Sequence, residues 1–151
     1  MHRNSLLCAL AILALLLVSP AHAFLGFFSK IPEVKTHDGL VTIPADEVSD
    51  GQARHYRFVQ GKTEIVFFLL KTGDGQIRAA FDACDVCYHA KKGYSQQGEF
   101  MICNNCGMKF HASRVGDVEG GCNPAPLKRT VENGRVIIAE ADLAAGQRFF
   151  Q

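Results

Sequence analysis

Two pairs of cysteines of the form C-x-x-C, Cys84 with Cys87 and Cys103 with Cys106, stand fifteen residues apart in this chain. Two intervening residues let one tight turn aim both sulfurs at a single point while backbone N–H groups face them, and two such turns supply four ligands. A tetrahedral all-sulfur site suits zinc, with Zn–S bonds of about 2.3 Å, or iron-sulfur chemistry. Gly107 directly follows the second pair and tolerates the positive φ that such a turn needs. The same thiols also permit disulfides. A bridge within one pair would be a redox motif, and crossed bridges would be a staple. Residue types alone leave metal and disulfide both open.

A fifth thiol, Cys122, lies between Gly120-Gly121 and Asn123-Pro124. The glycines let the loop fold tightly and the proline stiffens its exit, so the sulfur is expected near the knuckles. Its roles there would be a spare ligand, a redox-active thiol or a small buried side chain. His89 and His111 follow the two pairs closely, yet a loop histidine beside Lys91 and Lys92 reads more simply as solvated. His37 and His55 fall in strand regions and carry no motif. No catalytic triad, phosphate loop or paired catalytic carboxylates is evident, which argues against a hydrolase. Neither C-x-x-C opens a helix, as a thiol-disulfide enzyme would require.

These thiols need strands to carry them. Leu40-Val41-Thr42-Ile43 ends at Pro44, and Arg54 to Val59 alternates polar and aromatic residues before the turn Gln60-Gly61-Lys62. Thr63 to Leu70 contains the continuous apolar run Ile65 to Leu70 and is expected as a central strand buried on both faces. Gly73-Asp74-Gly75 makes a hairpin turn, and Gln76 to Ala83 returns to deliver Cys84. Lys91 to Tyr94 reads as loop, Glu99 to Ile102 as the short strand that delivers Cys103, and Met108-Lys109-Phe110 as the chain leading away. Lys128 to Ala139 forms a hairpin around Glu132-Asn133-Gly134, and Asp142 to Gly146 one helical turn. The fold class is all-β, a small sandwich or barrel with a two-knuckle metal lobe of Rieske-like or zinc-ribbon-like character.

The chain has 151 residues, enough for one domain with its own core. Sixteen basic residues against fifteen acidic ones leave no electrostatic footprint for nucleic acid. The first twenty-three residues read as a signal peptide: Arg3, an apolar core from Leu6 to Val18, and an A-x-A ending at Ala23. That core is shorter than the roughly 20 residues a spanning helix needs. Cys8 within it is a small hydrophobe, so the expected domain is residues 24–151, periplasmic or secreted, or membrane-anchored if the leader is retained. The apolar start from Phe24 to Phe28 would dock on the domain or touch a membrane. Arg3 lacks the second arginine of a folded-cargo leader, which favours a metal acquired after export, or disulfides.

The string Ala83-Cys84-x-x-Cys87, Gly93-Tyr94, Gly98, Ile102-Cys103-x-x-Cys106 and Gly120-Gly121-Cys122-Asn123-Pro124 resembles the FtrD-like family of membrane-associated iron-sulfur proteins. The strand Asp74-Gly75-x-Ile77-Arg78-Ala79-Ala80 extends the likeness. Many relatives carry a multi-helix membrane portion, and this chain resembles their soluble domain alone. The resemblance implies an iron-sulfur cluster on Cys84, Cys87, Cys103 and Cys106. It also implies electron transfer, in some settings beside ferrous-iron uptake, with a membrane-bound redox or iron-transport partner. A weaker likeness is to Rieske domains, through Cys87-x-His89, Cys103-x-x-Cys106 and the glycine-rich loop. Those sites use two cysteines and two histidines, so Cys106 stands in a histidine position and Cys84 is extra. A zinc-stabilised binding module and a disulfide-stapled protein remain the alternative readings.

Overall fold

The computed structural model describes residues 31–151. The expected leader, Cys8 and the apolar start at 24–28 lie outside the described residues. Ten strands run β1 (Glu33–Val34), β2 (Leu40–Pro44), β3 (Arg54–Gln60), β4 (Thr63–Lys71), β5 (Ile77–Phe81), β6 (Tyr94–Gln97), β7 (Phe100–Cys103), β8 (Lys109–His111), β9 (Thr130–Glu132) and β10 (Arg135–Ala139). A short helix, α1 (Glu140–Ala145), follows. The strands make three open sheets, ordered β1-β3-β4-β5, β2-β10-β9 and β6-β7-β8. All pairings are antiparallel except β1 with β3.

The continuous apolar run of β4 follows from its place between two cores. Ile65, Phe67 and Leu69 point into a core shared with Val41, Ile43, Val136 and Ile138 of the second sheet. Phe68 and Leu70, on the other face, meet Met101, Tyr94, Cys84 and Cys103 from the knuckle region. Alternation of side chains along a strand makes this division automatic. The first and second sheets thus form the sandwich, and the third carries the knuckle lobe. Each hairpin expected around Gly61, Asp74 and Asn133 is present, with Gln60 paired to Thr63, Lys71 to Ile77 and Glu132 to Arg135.

Two segments differ from expectation. Tyr94, read as loop, opens β6, and Lys109 to His111 turns back on β7 as β8 and closes a three-stranded sheet. Both strands are short and lack apolar alternation, so their pairing comes from the turns that flank them and not from local pattern.

Candidate metal centre

The first knuckle leaves the end of β5. Asp82 N–H donates to the Val66 carbonyl at 2.9 Å, which carries the β5 edge two residues short of Cys84. Tyr88 N–H then closes the turn on the Cys84 carbonyl at 3.2 Å, and Cys87 N–H points at Cys84 Sγ at 3.2 Å. The second knuckle joins β7 to β8. Gly107, at φ 74°, donates to the Cys103 carbonyl at 2.8 Å, and the Asn105 and Cys106 N–H groups face Cys103 Sγ. These are the N–H to sulfur contacts that the spacing calls for.

Cys122 is held in place by a non-local pairing. The segment after it runs along β5: Ala125 N–H donates to Ala83 O, Phe81 N–H to Ala125 O and Leu127 N–H to Ala79 O. Gly116 is part of the same approach, since a Cβ there would stand 2.9 Å from Ala79 O. Arg78, buried beneath, pairs with Asp74 and with Asp117 and so ties β5 to this returning chain. The Tyr94 hydroxyl donates to the Cys122 carbonyl at 2.6 Å and fixes the loop from below.

The five thiols of the described residues come together, in two groups. The sulfurs of Cys84, Cys87 and Cys103 lie within 4.8 Å of one another, and so do those of Cys87, Cys106 and Cys122. Cys87 belongs to both. Cys84 and Cys103 are each 2% exposed, whereas Cys87 and Cys122 are half-buried and Cys106 is exposed. Burial pushes the Cys103 thiol up to about 11 and Cys122 up to about 12, the latter aided by Cys106 and Cys87. The Met108 N–H holds Cys106 below the ordinary thiol value. A cavity of about 210 Å³ opens beside the inner sulfurs, between Tyr88, Tyr94, Asn105 and Phe149.

An all-sulfur donor set with backbone N–H groups aimed at it and a cavity alongside fits zinc or an iron-sulfur cluster, and suits harder ions poorly. Among the described residues no histidine joins either group. His89 is exposed with its ring tilted against Tyr88, centroids 3.8 Å apart, and the exposed His111 hydrogen-bonds Ser113 at 2.8 Å, as the solvated reading anticipated. His55 is another matter. Its Nε2 is buried 3.5 Å from Asp82, whose Oδ1 also accepts the Tyr94 N–H at 2.7 Å. This support beneath the site was missed, because Asp82 and His55 share no motif. The one available signal was Gly93: a Cβ there would fall 2.1 Å from Asp82 Oδ2.

Fold and array together define the class, an all-β protein with a thiolate site of metal-binding type. The sequence profile described as membrane iron-sulfur containing protein FtrD-like matches residues 48–150, and the chain belongs to that family. Neither the curated proteins nor the solved structures offer a match. Among the described residues no helix is long and apolar enough to cross a membrane.

Proposed function

We propose that this protein is an exported iron-sulfur electron carrier whose cluster is held by Cys84, Cys87, Cys103 and Cys106, with Cys122 against its outer side. The reading rests on the division of the sulfurs into two triads. Ligands on one ion at about 2.3 Å can stand no more than about 4.6 Å apart. Five sulfurs gathered around Cys87, with Cys103 also reaching Cys106, are one more than a single closed zinc site takes, and they suit a centre with more than one metal atom. A bound cluster supplies a one-electron centre whose potential answers to burial and to hydrogen bonds on its sulfurs. This chain contributes both, through the buried Cys84 and Cys103 and through the N–H groups of Cys87, Asn105, Cys106 and Met108.

The outer sulfurs are where electrons would enter and leave. Val86 and Met108, at the tips of the two knuckles, are 61% and 53% exposed and flank Cys87 and Cys106 with apolar surface. Such a face suits a protein partner, which we take to be a membrane-bound redox or iron-transport protein. Residues 1–23 would serve as the export leader and 24–151 as one domain, placed in the periplasm. Spectroelectrochemical titration of protein purified without air should give a reversible absorbance change in the visible range. Colourless protein with one bound zinc and no redox response would replace this reading with the zinc-stabilised module.

A further inference from the structure

Five thiols serve a site whose four-ligand form needs four, and the surplus is not placed at random. Cys87 Sγ and Cys122 Sγ are in contact at 3.7 Å, from positions 35 residues apart. Both side chains are half-buried and within reach of a small reagent, whereas Cys84 and Cys103 are sealed in the core. Their backbones are held through their carbonyl oxygens, while their sulfurs meet other thiols. The Ala90 N–H donates to the Cys87 carbonyl at 3.0 Å, and the Tyr94 hydroxyl holds the Cys122 carbonyl. Gly120 and Gly121, at φ 88° and 61°, stand in open space with nothing within 4 Å of a notional Cβ. The loop therefore has room for the shift of under 2 Å that separates contact from an S–S bond of about 2.05 Å.

We propose that Cys87 and Cys122 form a redox gate on the metal centre: in metal-free protein they close as a disulfide, and its reduction readies the site for loading. Cys87 is the one thiol common to both triads, so its capture with Cys122 leaves three free thiols, Cys84, Cys103 and Cys106, where a closed site takes four. One bridge dismantles both groups. In closing, one Sγ–Sγ bond forms and the S–S bond of a disulfide oxidant breaks. Both protons and both electrons pass to the oxidant, which leaves as two thiols. Opening is the reverse exchange with a dithiol reductant, which departs as its own disulfide. The gate rests on the metal-binding reading only for its purpose, since the bridge itself forms or fails without metal.

The test uses the full chain, stripped of metal by chelation under reducing conditions and then equilibrated with oxidised glutathione. Titratable thiols should fall by two, and mass mapping of the non-reduced digest should link the peptide of Cys87 to that of Cys122. A bridge within either C-x-x-C pair, a Cys106–Cys122 bridge, or no bridge at all would overturn the gate. Loading supplies the second readout, with zinc as the probe. The oxidised parent should bind at least tenfold less zinc than the same protein after a dithiol, whereas Cys122→Ser treated alike should load equally with and without it. A variant that still requires reductant would equally overturn the proposal. Protein that carries zinc and shows no iron-sulfur spectrum as purified without air, before chelation, would dispose of the cluster and leave the gate standing.

Discussion

One face of β4 looks into a core of hydrocarbon and the other into a core that contains thiols. On the first, Ile65, Phe67 and Leu69 pack against Tyr56, Phe81, Val136 and Ile138, with Tyr56 and Phe67 stacked at 5.6 Å. On the second, Phe68 and Leu70 meet Ala80, Met101, Tyr94 and two cysteines, and the polar pair His55–Asp82 sits at its edge. The first core needs only volume and complementarity. The second must also hold sulfurs at set positions, and it does so with hydrogen bonds to a thiol, to the Asp82 carboxylate and to the Cys122 carbonyl. Both faces of the strand carry stability, and one of them also carries the site geometry.

Substitutions on the two faces should separate those duties. Phe67→Ala should cost about 3 to 5 kcal/mol of unfolding free energy, measured by denaturant titration, with metal content per folded chain unchanged. Phe68→Ala should cost a similar amount and also lower metal content, since its ring is 6.3 Å from Tyr94 and shares a cluster with Cys84 and Cys103. Equal metal content in the two variants would erase the distinction.

A smaller effect belongs to Gly93. Gly93→Ala places a methyl against Asp82 at a φ of 60°, and overpacking of this kind costs about 1 to 3 kcal/mol. Asp82→Ala combined with it should recover part of that loss in a double-mutant cycle. Purely additive losses would mean that the contact is not the cause. Tyr94→Phe removes one hydrogen bond to the Cys122 carbonyl and should cost about 0.5 to 1.5 kcal/mol. Its more telling readout is the visible spectrum, which should shift while metal content holds.

Acid should act least, and outside the thiol-containing core. Asp74 is held at about 2, below its ordinary 3.8, by the Thr72 hydroxyl first, then the Gln76 N–H and Arg78. A depressed folded value means that its contribution is complete above about pH 4 and is lost as the pH falls toward 2. Asp74→Asn should flatten the pH dependence of stability across that window. An unchanged slope would remove Asp74 from the acid response.

Legibility in the sequence followed the same division. The run Ile65 to Leu70 announced a strand buried on both faces because every residue in it is apolar, and the C-x-x-C pairs announced their turns because thiol spacing constrains a knuckle tightly. Cys122 was placed near the site from its glycines, yet its partnership with Cys87 depends on Ala125 and Leu127 pairing beside β5, a non-local contact that leaves no periodicity. Asp82 and His55 were invisible for a related reason. A single half-buried carboxylate receiving a backbone N–H is specified by three-dimensional position alone.

Iron, zinc and acid-labile sulfide, quantified together in protein purified without air, test the central claim most directly. The account predicts more than one iron per chain, sulfide in proportion, and loss of both on replacing Cys84 or Cys103 by serine. One zinc per chain without sulfide, or full occupancy after either substitution, would contradict it.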